Sequence, residues 1–150
     1  MRTLAIDLGT RRVGIALSDE GGRFATALDV LTITTPSQAA DEVLAIINRE
    51  SPTRLVVGLP LNMDDSVGPA AKQTIAWAKD LSRRAGLPVV FIDERLSSFE
   101  AEQHLNDRKR GGERMTRQMK KERLDAIAAA SFLQAFLDGR LGGIDVGGDR

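Results

Sequence analysis

The 150-residue chain predicts an α/β fold built on a mixed sheet, and three stretches carry that prediction. Residues 3–18, TLAIDLGTRRVGIALS, alternate twice: Leu4, Ile6 and Leu8 against Thr3, Ala5 and Asp7, then Val13, Ile15 and Leu17 against Gly14, Ala16 and Ser18. A period of two in both halves, with Gly9 and Thr10 between them, is the signature of two paired strands. Residues 54–92 read strand, helix, strand, which is a parallel crossover unit, so an antiparallel opening is joined to parallel strands. The alanine-rich stretch near the end predicts a helix able to lie close against that sheet.

Each element has its own local reason. Phe24 to Ile33 suits a third strand, with Asp29 fitting it least. Ser37 to Glu50 predicts a helix, because Ala40, Val43, Leu44, Ile46 and Ile47 recur at helical spacing, Ser37 can cap the start and Pro52 follows the end. Arg54 to Leu59, RLVVGL, is an apolar run short enough to be a strand buried on both faces, stopped by Pro60. The loop LNMDDSVGPAA leads into a helix from about Val67 to Ala85, with Ala71, Ile75, Ala78 and Leu81 inward and Gly86 and Pro88 beyond its end. Val89 to Ile92 is another buried strand and empties into Asp93, Glu94 and Arg95. A short helix is expected from Ser98 to about Asp107, and a last one from about Lys120 to Asp138, ended by Gly139. Residues 1–138 form one domain on this reading, and the glycine-rich segment 139–150 is a flexible tail that does not pack.

Composition narrows the classes of function. The chain has no cysteine, which excludes disulfides and thiolate metal sites and suits a reducing, cytoplasmic setting. Asp7 comes too early for the apolar segment of a signal peptide, and no apolar run approaches membrane-spanning length, so a soluble protein without a membrane partner is expected. Lys plus Arg and Asp plus Glu are equal at 21 each. Their distribution is uneven, however: Arg108, Lys109, Arg110, Arg114, Arg117, Lys120, Lys121 and Arg123 face only Glu113 and Glu122, a local net charge of +6. A basic segment of this kind attracts phosphates even on a neutral protein.

Two carboxylates stand where apolar residues would be expected. Asp7 interrupts a buried strand, which is costly unless a charge compensates it, and either a divalent cation or an ion pair with Arg11 or Arg12 would do so. Asp125 borders the apolar stripe of the last helix, with Ala128, Ala129 and Phe132 one and two turns on. It points to a cleft, or to an ordinary pair with Lys121. Asp93 and Glu94 end a buried strand, where open α/β sheets bind ligands, and strand alternation sends their side chains to opposite faces without deciding which joins Asp7. Three carboxylates from distant segments suit Mg²⁺ or Mn²⁺, and such ions hydrolyse phosphodiesters by activating water and stabilising the leaving oxygen. His104, the sole histidine, reads as a surface residue, and Trp77 with the five phenylalanines reads mainly as core. With no tyrosine, a base-stacking platform is not supported, and recognition should rest on backbone and shape.

DLGTRRVGIA, VVGLPLNMDDSVG, DERLSS and LDAIAAASFL, in that order and over most of the chain, resemble the YqgF family, described as Holliday junction resolvases or pre-ribosomal-RNA nucleases with a ribonuclease H-like fold. The resemblance implies a mixed five-stranded sheet flanked by helices and a metal-dependent endonuclease that processes the 5′ end of pre-16S ribosomal RNA, with ribosomal particles as possible partners. It also implies an acidic triad at Asp7, Glu94 and Asp125 as catalytic and metal-holding residues, with Asp93 as second candidate and Gly9, Arg12 and Gly14 in the first motif. Arg12, Arg95, Lys109, Arg110, Arg114, Arg117, Lys120 and Lys121 are the expected contacts to nucleic acid. The junction-resolvase relatives end the fourth strand with an acid; here that strand ends in Gly58, Leu59 and Pro60, and Glu94 is taken as the replacement. Other readings are a junction resolvase acting on branched DNA, a non-catalytic RNA-binding assembly factor, and one lobe of an actin-like ATPase, which DLGT also resembles. A monomer or weak homodimer is expected.

Overall fold

The computed structural model describes residues 1–64, 66–94 and 117–144, with side chains in the last segment from 126 onward. Five strands form one sheet in the order β3-β2-β1-β4-β5, where β1 is Thr3–Leu8, β2 Arg12–Ser18, β3 Ala25–Thr32, β4 Arg54–Leu59 and β5 Val89–Asp93. The hairpin partners β1–β2 and β2–β3 run antiparallel, and β1–β4 and β4–β5 run parallel. The mixed sheet expected from the alternation and the crossover unit is therefore present. Asp29 is accommodated because β3 is an edge strand: its carboxylate is exposed, accepts the Val30 N–H at 2.8 Å and sits beside an irregularity in the β2–β3 pairing.

Among the described residues three helices cover the sheet: α1 (Pro36–Glu50), α2 (Pro69–Ala85) and α3 (Arg117–Leu137). Helix α1 is capped by Thr35 and not by Ser37; Pro36 takes the first helical position, where its missing N–H costs nothing, and the Thr35 hydroxyl accepts from Gln38 N at 3.1 Å. Helix α2 starts at Pro69, two residues after the expected Val67: Gly68 is its extended N-cap and the proline takes the first helical position, where no N–H is needed. Its buried residues are Ala71, Thr74, Ala78 and Leu81, so Thr74 takes the place expected of Ile75, which is only half-buried. Gly86 closes α2 at φ 69°, donating to Ser82 O, and Gly139 follows α3 at φ 79°.

Two cores result, one on each face. Leu4, Ile6, Val13, Ile15, Leu55, Val57, Leu59 and Phe91 pack against α1 and α2. On the opposite face Ala5, Ala16, Val56 and Ile92 meet Ala129, Phe132 and Leu133 of α3. The expectation that the segment after Gly139 would not pack fails for residues 139–144. Ile144 N donates to Phe91 O at 2.6 Å along the free edge of β5, and Leu141 and Ile144 join the two cores. The expected helix 98–107 and residues 145–150 lie outside the described residues. No helix among the described residues is long and apolar enough to cross a membrane.

Candidate active site

Asp7 lies in β1, the central strand, one residue from its carboxyl end. It shares a face with Thr3 and Ala5, which is the face covered by α3. Across the β1–β2 ladder its partner is Gly14. On the other side the parallel register runs Ala5 beside Val56 and Ile6 beside Val57, and one further step sets Asp7 beside Gly58. The half-buried Asp7 thus has a glycine on each neighbouring strand. The tight return that precedes β2 requires Gly9: a Cβ there would come within 2.8 Å of the Arg12 carbonyl oxygen, which accepts the Gly9 N–H at 2.9 Å.

The pairing of β4 with β5 separates Asp93 from Glu94. Asp93 is paired with Leu59 and continues the row of Phe91, which faces α1 and α2. Glu94 continues the row of Ile92 on the α3 face. Its side chain folds back over β4: a Cβ built on Gly58 would lie 2.9 Å from Glu94 Cβ, 3.1 Å from Glu94 Oε2 and 3.0 Å from Cε2 of Phe132. The Oε2 atom is shut off from solvent between the strand and that ring. Glu94 N reaches Leu59 O at 3.4 Å, so the chain leaving β5 is still tied to β4 at this point. Of the two adjacent acids, Glu94 stands on Asp7's side of the sheet and Asp93 on the other.

The third expected acid belongs to α3, which packs on this same face through Ala129, Phe132 and Leu133. The side chain of Asp125 lies outside the described residues, as do those of Arg117, Lys120 and Lys121 in the same helix. Arg95, Lys109, Arg110 and Arg114 lie outside them altogether. Arg12 opens β2 on the α3 face and is half-buried, whereas Arg11 is exposed. Among the described residues no three His, Cys, Asp or Glu side chains gather closely enough to hold a metal, which agrees with Asp93 facing away from Asp7 and Glu94. A loop flanks the site where β4 ends. Asn62 N donates to Ser66 O at 3.0 Å, Asn62 Nδ2 to Ser66 Oγ at 2.9 Å and Ser66 N to Asp64 Oδ1 at 3.0 Å, leaving Met63 outside at 96 % exposure.

Apolar periodicity does not single out Gly58, although an isolated glycine within a buried strand signals close approach by another group. Here that group is Glu94.

This geometry can be set beside known proteins. The family model described as RuvX: Holliday junction resolvase matches residues 1–139. The chain belongs to the RuvX family. That family, also called YqgF, consists of nucleases, hydrolases of phosphodiester bonds. RuvX relatives provisionally named pre-16S rRNA nuclease include one from Acidiphilium cryptum, 40% identical over 137 residues and matched across 91% of this chain and 84% of its own. Another, from Anaeromyxobacter dehalogenans, is 45% identical over 142 residues, covering 93% of this chain and 98% of its own. Among solved structures, Thermus thermophilus RuvC in complex with a Holliday junction substrate superposes with a TM-score of 0.60 at 18% identity, across 96% of this chain and 100% of that one. Fowlpox virus resolvase, in complex with its Holliday junction DNA, gives 0.53 at 11% identity, across 91% and 99%. At such identities these two speak for the ribonuclease H-like fold of the RuvX chain.

Proposed function

We propose that this RuvX chain is a divalent-metal-dependent endonuclease that cuts precursor 16S ribosomal RNA near its 5′ end. The observation that carries the reading is the strand register that sets Asp7 and Glu94 on one face, under the helix that contains Asp125. All three are oxygen donors, and Glu94 is half-buried with its Oε2 shut off from solvent; such a set fits Mg²⁺ or Mn²⁺. A bound ion of this kind supplies Lewis acidity to water and to the phosphodiester.

The chain's own residues do the rest. Asp7 stands between two glycine positions, and the one on β4 is where the Glu94 side chain comes over the sheet on Asp7's side. Glu94 is fixed by the strand beneath and the Phe132 ring beside it, which lowers the entropy lost when a ligand is held. Arg12, Arg95, Lys109, Arg110, Arg114, Arg117, Lys120 and Lys121 hold flanking phosphates; contacts of this type set register and orientation without reading sequence. A single acidic site per chain suffices to trim an RNA end, so a monomer or weak dimer acting in the cytoplasm on ribosomal particles is consistent with this role.

The names of the sequence relatives favour RNA. The family description favours a second reading, resolution of four-way DNA junctions, which calls for a dimer with paired sites. Purified protein with Mn²⁺, offered precursor RNA and a four-way junction side by side, distinguishes them. Cleavage of the RNA near its mature 5′ end is expected; paired nicks in the junction with the RNA untouched would overturn the choice. The double substitution Asp7→Asn and Asp125→Asn is expected to abolish cleavage and retain RNA binding, and cleavage at the wild-type rate would remove the acidic site.

A further inference from the structure

We infer that Gly58 is a positioning residue for Glu94: the side chain missing from β4 leaves the slot through which Glu94 crosses toward Asp7. Neighbouring strands lie about 4.8 Å apart, so β5, two strands from β1, is roughly 10 Å from it. A carboxylate that starts at the end of β5 can approach Asp7 only by passing over β4. Position 58 is where it does so, beside Ile92 on one flank and, one register step beyond Ile6 and Val57, beside Asp7 on the other.

The space is already full without a side chain from β4. A Cβ at 58 would meet Glu94 Cβ at 2.9 Å, Phe132 Cε2 at 3.0 Å and Glu94 Oε2 at 3.1 Å. Glu94 Cβ sits directly on its own backbone and Phe132 is fully buried in α3, so neither can swing aside as the free end of a long side chain could. Backbone conformation is not what demands glycine here, since Gly58 lies in a regular strand and is absent from the positive-φ positions. What demands it is the neighbour.

This inference rests on Glu94 being part of the metal-holding set, and the test separates the two claims. Calorimetric titration with Mn²⁺ alone is run on the whole chain in wild-type form and as Gly58→Ala, Glu94→Gln and the double variant, with cleavage measured in parallel. Gly58→Ala is expected to weaken Mn²⁺ by about 10-fold or more and to slow cleavage by about 10²-fold, the scale of a reacting group misplaced by about 1 Å. In the Glu94→Gln background the same substitution is expected to add no further loss of Mn²⁺ affinity, because the residue it acts through no longer contributes. Wild-type Mn²⁺ affinity in Gly58→Ala, with Glu94→Gln impaired, would overturn the positioning role alone, as would losses that simply add. Wild-type affinity in Glu94→Gln would remove Glu94 from the site and the inference with it. If Gly58→Ala does not fold, Gly58→Ala combined with Glu94→Gly and Phe132→Leu is expected to fold, since the contacts with the Glu94 side chain and the Phe132 ring go together; failure of that variant while Glu94→Gly with Phe132→Leu alone folds would overturn the slot.

Discussion

The two faces of the sheet are built from different residues. On the face under α1 and α2, Leu4, Ile6, Val13, Ile15, Leu55, Val57 and Leu59 are buried almost without remainder, and the acids in their rows stand on the two edge strands, Asp29 in β3 and Asp93 at the very end of β5. On the face under α3 the corresponding rows hold Ala5, Asp7, Gly14, Ala16, Val56 and Gly58, with Glu94 beyond Ile92. Large branched side chains maximise apolar area removed from water. Small ones leave the helix close to the sheet and leave open floor around the carboxylates. The same strands thus serve stability on one side and room for chemistry on the other, and alternation along each strand keeps the two from interfering.

The substitution expected to have the largest effect is Asp7→Asn on the α3 face. Loss of the metal ligand proposed at Asp7 should slow cleavage by about 10²-fold or more, while the thermal unfolding midpoint stays near the wild-type value because the isosteric amide fills the same space. A matching fall in stability would erase the division between the faces. The complementary change is Leu4→Ala on the opposite face: it should destabilise by about 2–5 kcal/mol in denaturant titration and leave the cleavage rate of the folded fraction unaltered.

Ala5→Val sharpens the comparison from the crowded side. Ala5 is fully buried against α3, so added methyl groups should cost about 1–3 kcal/mol and also slow cleavage, because they push on the helix that bears Asp125. Thr35→Ala tests a feature remote from the site. Loss of the α1 cap should cost about 1 kcal/mol, with no change in cleavage.

The pH dependence at Asp19 belongs to neither face. Its carboxylate, at the β2–β3 hairpin, accepts the backbone N–H groups of Phe24 and Arg23, and these hold its pKa below the usual carboxylate value. A depressed folded-state value means the contribution is present above that unfolded value and is lost as pH falls through the folded one. Asp19→Asn should therefore remove a small contribution near neutrality, and the gap between variant and wild type should close as pH falls below about 4.

Much of this was legible along the chain. The period of two in residues 3–18 and the apolar runs 54–59 and 89–92 mark four of the five strands, because burial on one or both faces writes itself into local pattern. The choice between Asp93 and Glu94 was not legible. Alternation says only that they diverge, and deciding which meets Asp7 needs the register of β5 on β4 and of β4 on β1, a long-range property. The tail was misjudged for a similar reason: Leu141 and Ile144 are few among glycines, but a free strand edge with an available Phe91 carbonyl gives them a place that composition does not reveal. The cap of α1 shifted because Pro36 fixes the first helical position one residue before Ser37.

The central claim is that Asp7, Glu94 and Asp125 converge on one divalent ion. Crystals grown with Mn²⁺ and measured at the manganese absorption edge test it directly. The account predicts an anomalous peak on the α3 face with carboxylate oxygens of all three residues at about 2.1 Å. A manganese bound elsewhere, or Asp125 turned away from Asp7 and Glu94 while they hold the ion, would contradict it.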